Sequence, residues 1–333
     1  MEAVRPSASD FAARHWYRLS LLSVLLYPLS LVFRFAVVAR RLLFRLGVLP
    51  SARLPIPVVV VGNLTVGGTG KTPLVIALAK ALRRGGLQPG ILSRGYGGAS
   101  VSPRAVAAGD EAEHVGDEPL LLAEGSGCPV WIGADRVAAA RALCSAHPAC
   151  NVIICDDGLQ HYRLQRDFEI AVEDERGLGN GLLLPAGPLR EPADRRVDAT
   201  VVNGGGPGPG KFVMRLVAAG LFRVGDTSAR LTPSELMGKR LHAVAGIGNP
   251  GRFFATLSGM GLVFSAHAFP DHHVFRAEEL RFADCDFVLM TEKDAVKCRR
   301  FGRRDLVAVR VEAEVDPALT ELILESIRGR APA

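Results

Sequence analysis

None of the six cysteines stands in a C-x-x-C pair, and no cysteine–histidine cluster has zinc-finger spacing. That excludes a disulfide framework and a zinc finger, and it suits a reducing compartment. Cys155 sits inside an apolar, strand-like run, an ordinary place for a buried thiol. Internal repeats are missing too. So is any charge-free stretch of the roughly 20 residues that a helix needs to cross a bilayer; the apolar run between Arg18 and Arg34 falls short of it and contains Pro28. No small-x-small site follows that run, and the charged lead before it is long, so a cleaved signal peptide is not expected. An acidic surplus is absent as well. The formal net charge is +6, which points to nucleic acid, an anionic membrane or a phosphorylated substrate as partner, or to a merely basic surface.

What is present fits a folded α/β protein: 333 residues, 48% hydrophobic, with 36 glycines. Residues 1–50 are apolar and basic. Arg5, Arg14 and Arg18 precede the apolar run, Arg34, Arg40, Arg41 and Arg45 follow it, and Trp16 and Tyr17 lie at its edge. Proline in mid-run should bend or break a helix, so the expectation is a pair of helices lying in the interface of an anionic leaflet. A buried hairpin and a single span are the other readings.

From Pro55 onward strand and helix patterns alternate, which predicts a doubly wound, mostly parallel sheet with function at the strand C-termini. The run "NGGGPGPGK", Asn203 to Lys211, is the clearest linker signal. It suggests a nucleotide-binding domain over 51–205 and a smaller α/β domain over 206–333.

The stretch "VVVVGNLTVGGTGKTP" reads as an apolar strand, a glycine-rich turn and a helix start. Such a loop cradles phosphate with successive backbone N–H groups. Here Thr65, Val66, Gly67, Gly68, Thr69, Gly70, Lys71 and Thr72 form the candidate nucleotide site. Lys71 would reach the β- and γ-phosphates and Thr72 would ligate Mg²⁺. The general pattern wants glycine where this chain has Thr65. "VIICDDGLQH" ends a strand in Asp156 and Asp157, either of which suits a Walker B carboxylate holding Mg²⁺. Asp117 of "GDEP" precedes a helix and is either an N-cap or a base for a substrate hydroxyl. "FPDHHVF" sets Asp271, His272 and His273 side by side, as metal ligands, acid–base helpers or neither. "TEKD", Thr291 to Asp294, echoes a guanine-specificity signature but lies far along the chain from the phosphate loop.

Taken in order, "VGNLTVGGTGKTP", "SRGYGG", "GDEP", "CDDGLQH", "PAGPLREP", "AGIGNPGRFF", "DHH" and "TEKDAVKC" resemble the motifs of the tetraacyldisaccharide 4′-kinases. The resemblance covers roughly Leu54 to Cys298, and it absorbs Thr65, because the family's own loop carries no glycine there. It implies ATP and Mg²⁺ as cofactors and an acylated disaccharide phospholipid as substrate, phosphorylated at its 4′-hydroxyl. The implied location is peripheral, on the cytoplasmic face of the bacterial inner membrane, with no nucleic acid and no obligatory protein partner. It also implies Asp117 as catalytic base, His272 as its partner, and Arg94, Tyr96, Arg136, Arg190 and Glu191 as substrate-side positions. The rival reading is a membrane-associated GTPase or ATPase switch, favoured by "TEKD" and the basic N-terminus.

Overall fold

The computed structural model describes residues 15–95, 102–107, 109–206 and 208–328. Tyr96, Arg5 and Arg14 lie outside the described residues. Thirteen strands form one sheet among them, in the order β11-β10-β12-β13-β8-β7-β6-β1-β5-β2-β4-β3, with β9 on β8. The fold is α/β, as expected.

The centre of the first half is β1 (Val58–Gly62), flanked in parallel by β5 (Val152–Asp156) and β6 (Phe168–Asp174). All five residues of β1 and of β5 are buried. A strand covered on both faces cannot alternate polar and apolar residues, which is why "VVVV" and "VIIC" read as continuous apolar runs. Further parallel strands are β2 (Pro89–Ser93), β4 (Val130–Ile132) and β7 (Ala199–Asn203); the short β3 (Arg104–Ala105) closes the edge antiparallel. Four helices follow α1 (Leu21–Arg45) in this half: α2 (Lys71–Arg84), α3 (Ala112–Val115), α4 (Asp117–Ser126) and α5 (Arg136–Ala146). One face of the sheet is covered by Leu74, Leu78 and Leu82 of α2, the other by Val137, Ala140 and Leu143 of α5. Each such buried leucine contributes about 2 kcal/mol.

The second half repeats the scheme with β10 (Leu241–Ala245), β11 (Phe264–Ala268), β12 (Phe287–Thr291) and β13 (Leu306–Val315), all parallel to one another. Helices α6 (Pro233–Leu236) and α7 (Pro250–Gly259) cover one face, and α8 (Glu292–Cys298) the other. Two long strands join the halves. The start of β8 (Phe212–Arg223) pairs in parallel with β7, and most of its length pairs antiparallel with β13. The register skips Ala219 between Arg310 and Val311, a bulge that bends and twists the ribbon. The hairpin strand β9 (Asp226–Leu231) sits on β8.

The glycine-rich run is thus a loop between two neighbouring strands of a continuous sheet. The last helix, α9 (Pro317–Arg328), then returns to the first half: Leu319, Ile323 and Ile327 join the same core as Val59 and Leu74. Sequence position past 206 therefore does not assign a residue to the second core.

The N-terminal segment differs from the expected helix pair. It is one 25-residue helix that runs through Pro28. Contacts on both sides of the proline hold the two turns in line: Asn180 Nδ2 donates to Ser23 Oγ (3.3 Å), and Ser30 Oγ donates to the Leu183 carbonyl (2.5 Å). These tertiary contacts offset the hydrogen bond that proline removes. Ser23 and Ser30 are the buried residues of α1, whereas Leu21, Val24, Leu25, Val32 and Phe35 are exposed. Its polar stripe faces the protein and its apolar side faces outward, the reverse of a soluble amphipathic helix. By length and composition α1 is apolar enough to cross a membrane, with a mean hydropathy of 2.1 and only 11% burial over its best 18 residues.

Candidate active site

The loop after β1 is held open by side chains from three directions. Asn63 Nδ2 donates to the Gly67 carbonyl (3.0 Å), Arg176 Nη2 to that of Gly68 (2.9 Å) and Asn203 Nδ2 to that of Thr69 (3.0 Å). Arg176 is itself fixed by Asp174 at 2.7 Å. With the carbonyls tied back, the N–H groups of the loop are left for an anion. Gly67 and Gly70 have φ of 103° and 96°, which glycine adopts without strain. A Cβ on Gly70 would also lie 2.5 Å from Asn203 Nδ2. Thr65 needs no such freedom. It is not among the positive-φ residues, and it is buried in a bridge to Leu189, while Val66 N–H donates to the Pro188 carbonyl (2.9 Å). The glycine missing from the general pattern is missing because the backbone is extended there.

Lys71 opens α2. Its ammonium donates to Asn63 Oδ1 (3.2 Å) and lies 3.7 Å from Asp157 Oδ1. Arg190 Nη1 donates to both oxygens of Asp157 (3.1 and 3.2 Å). Burial pushes the Asp157 carboxyl up, but Lys71 and Arg190 outweigh it and hold it below the usual range. Its neighbour is in the opposite position. Asp156 is buried, and burial together with Glu118 and Asp157 raises its carboxyl to about 7. Its Oδ2 accepts from Ser93 Oγ (3.3 Å), and its Oδ1 is buried without a hydrogen-bond partner among the described residues. A buried carboxyl oxygen lacking a hydrogen-bond partner fits a hard divalent cation. Thr72 lines the cleft beside Lys71.

Asp117 is not the cap of α4. Gly116 occupies that position with φ 93°, and Asp117 is the first helical residue, 5% exposed. One of its oxygens accepts from the Glu118 N–H (2.9 Å); the other lies 3.2 Å from His272 Nδ1. His272 sits in a turn at φ 60°. Burial pushes Asp117 up, but the His272 hydrogen bond and the Lys293 cation prevail and hold it low; the same hydrogen bond, opposed by burial and Lys293, raises His272. The two histidines of "DHH" part company here, because His273 Nε2 turns to Glu279 at 3.1 Å.

Lys293 completes the cluster. Its ammonium donates to Glu118 Oε1 (3.1 Å) and Asp271 Oδ1 (3.3 Å) and lies 3.3 Å from His272 Nε2. Distant in sequence from the phosphate loop, "TEKD" is adjacent to it in space: Lys71, Thr72, Glu118, Asp271 and Lys293 line one cavity of about 520 Å³. Across it Gly248 closes on the loop so tightly that a Cβ there would lie 3.0 Å from Gly68 N.

The remaining predicted positions divide. Arg190 is in the cluster, and Arg94 is exposed at the end of β2. Arg136 is buried at the start of α5, its Nη1 donating to the Gly133 carbonyl (2.6 Å). Glu191 is buried too, accepting from Tyr162 Oη (2.5 Å) and paired with Arg195 at 3.4 Å. Sequence reading missed Asn63, Arg176, Asn203, Glu118 and Lys293. Asn63 and Asn203 each sit directly at a strand's C-terminal end, the one signal that marked them.

Comparison with known proteins shows what the whole chain is similar to. A family model described as LpxK, tetraacyldisaccharide-1-P 4′-kinase, matches residues 22–328. A tetraacyldisaccharide 4′-kinase of Methylobacillus flagellatus is 50% identical over 321 residues, covering 96% of each chain. One from Azoarcus sp. strain BH72 is 49% identical over 342 residues, covering 100% of both. Among solved structures, the "apo" form of LpxK from Aquifex aeolicus in complex with ATP superposes with a TM-score of 0.77 at 30% identity, covering 92% of this chain and 100% of that one.

Proposed function

The chain belongs to the tetraacyldisaccharide-1-P 4′-kinase family, and from that premise we propose how its cleft carries out the reaction. The enzyme phosphorylates the 4′-hydroxyl of a tetraacylated glucosamine disaccharide 1-phosphate, a lipid A precursor, at the expense of ATP. The observation that carries the residue assignment is the meeting of Asp117 and His272. They are 155 residues apart in the chain and 3.2 Å apart in the fold, next to Glu118, Asp271 and Lys293, which line the cavity beside the phosphate loop.

Residues Thr65 to Thr72 receive the ATP phosphates, and Lys71 moves from Asn63 and Asp157 to the β/γ oxygens. Asp117 takes the proton of the acceptor hydroxyl. Held low, it is ionised at neutral pH and free to accept. His272 orients it. Thr72 and Asp156 would hold Mg²⁺, with Asp157 joining only if it leaves Lys71 and Arg190. Bound there, the ion supplies neutralisation of the charge on the β- and γ-phosphates. Arg94 and Arg190 are the acceptor-side residues, while Arg136 and Glu191, both buried, support the site. Asp117 belongs to the first half and His272 to the second, so the pair forms when the halves close, and opening precedes product release.

The seat proposed is peripheral, on the cytoplasmic face of the inner membrane, and α1 supports its membrane-associated part. Its outward side is apolar, and its serine stripe is hydrogen-bonded along the protein surface. A helix fastened sideways to a folded body lies in a leaflet more readily than it crosses one. The acyl chains then stay in the bilayer while the sugar enters the cleft, and Arg34, Arg40, Arg41 and Arg45 face anionic head groups.

The test is thin-layer chromatography of a labelled disaccharide precursor incubated with ATP and Mg²⁺. Wild type converts it, and Asp117→Ala loses a hundredfold or more. A variant within about tenfold of wild type removes Asp117 as the base.

A further inference from the structure

Lys293 is the residue of this cleft that the reaction scheme leaves without a task. Its ammonium is largely buried, and Glu118, Asp117 and Asp271 raise its proton affinity against burial, so it is charged. A charged lysine has three N–H donors and no acceptor. The three are directed at Glu118 Oε1, Asp271 Oδ1 and His272 Nε2. An Nε2 that accepts from an ammonium carries no hydrogen of its own. Asp271 is not its hydrogen-bond acceptor, since its Oδ1 is 3.9 Å from Nε2, beyond hydrogen-bond reach. The proton of the neutral imidazole is then on Nδ1, where Asp117 accepts it at 3.2 Å.

The chain around Lys293 is built to hold it still. Thr291 caps α8, its Oγ1 accepting from the Asp294 N–H (3.1 Å). Asp294, fully buried, accepts from the Gly246 N–H (2.9 Å) and pairs with Lys297 at 2.7 Å. Threonine and aspartate of "TEKD" thus fix the backbone, and the lysine between them enters the cleft.

We propose that Lys293 is the positioning residue of the Asp117–His272 pair: it bridges α4 and the turn at 270–273, and it fixes the neutral imidazole as the Nδ1–H tautomer that donates to Asp117. The inference rests on the reading of Asp117 as the proton acceptor. Lysine in a nucleotide cleft has an obvious competing role, a direct contact to phosphate, and the two roles differ in kinetics. A phosphate contact is made in the ground state, so its loss raises KM for ATP; a misplaced base lowers kcat.

The experiment pairs Lys293→Met with Asp117→Ala in the ATP and disaccharide-lipid assay, and adds ¹⁵N NMR of His272 in the wild-type protein at mildly alkaline pH. The expected result is a kcat about tenfold or more below wild type for Lys293→Met, with KM for ATP essentially unchanged. In wild type, Nε2 should resonate as a bare, hydrogen-bonded nitrogen and Nδ1 as a protonated one. A raised KM with kcat retained, an unaltered kcat, or a hydrogen on wild-type Nε2 would each overturn the proposal. If Lys293→Met fails to fold, the wild-type tautomer decides alone. If Asp117→Ala keeps its turnover, the base assignment fails, and the tautomer again decides the role of Lys293 separately.

Discussion

The phosphate loop and Lys293 of the Asp117–His272–Lys293 cluster line one cavity, yet loop and cluster are assembled in contrary ways. The loop is a run of consecutive residues between a strand and the helix it feeds, shaped by two glycines in left-handed conformations and by three ties to its carbonyls, from neighbouring Asn63 and from Arg176 and Asn203, all within the first half. The cluster takes Asp117 and Glu118 from one end of α4, His272 from a turn and Lys293 from α8, with Asp117 and His272 155 positions apart. The loop and all its ties belong to the first half, whereas the cluster needs residues of both; under the proposed closure the chemistry, more than the loop, would depend on it.

Substitutions can break that distinction. The largest effect is expected at Asp117→Asn, which keeps the shape and removes the base. Turnover of the lipid acceptor should fall a hundredfold or more, while ATP binding, read by calorimetry, stays close to wild type. Equal loss of ATP binding would mean that the two devices are one. Gly70→Ala should do the converse, because its Cβ would meet Asn203 and its φ of 96° is costly for alanine. We expect about 1–3 kcal/mol of strain, read as weaker ATP binding of the order of tenfold, with the tautomer of His272 untouched.

The same division governs what could be read from the sequence. The strand, loop and helix from Val58 to Arg84 were legible because their signals are adjacent: β-branched residues for a strand buried on both faces, glycines for the turn, an apolar stripe for α2; the ties from Arg176 and Asn203 were not. Even the apparent flaw at Thr65 is local, an extended residue where no glycine is required. Lys293 was misjudged because distance along the chain was taken for distance in space. Asp117 resembled a helix cap because the glycine that takes that place, Gly116, needs a left-handed φ that only the backbone reveals. Asn203 looked like the first residue of a linker, yet its amide holds the phosphate loop. Pro28 was expected to break a helix that contacts to Asn180 and Leu183 keep whole. In each case a tertiary contact overrode a sound local rule.

A third substitution sharpens the contrast between the two sides of α1. Leu25→Asp with Phe35→Asp changes only outward-facing residues, 68% and 76% exposed. Each buried apolar side chain is worth about 2 kcal/mol on transfer from water, so sedimentation with anionic vesicles should weaken tenfold or more. Activity on a detergent-dispersed acceptor should change far less. Undiminished sedimentation would assign membrane contact to another surface.

The smallest effect concerns the cluster itself and its dependence on pH. His272 gains a partner on folding, and the Asp117 hydrogen bond raises its proton affinity above the ordinary 6.5 despite burial and the Lys293 cation. A group whose folded pKa is raised gives stability that is whole below its unfolded value and is lost as pH rises through the folded one. Asp117, held below 3.8, gives stability that is present above that value and disappears only in stronger acid. Between mild acidity and mild alkalinity the Asp117 contribution is therefore constant, and within the pair only the His272 contribution changes; Asp156, raised to about 7, titrates there in both proteins. Thermal melts of wild type should lose stability as pH is raised past 6.5, and His272→Gln, which cannot titrate, should lose less over the same interval. His272 is 31% exposed at its side chain, and solvent screening keeps the difference small. Parallel melting curves for the two proteins across that interval would show that the pair contributes nothing to folding stability there, leaving its contact to act in catalysis alone.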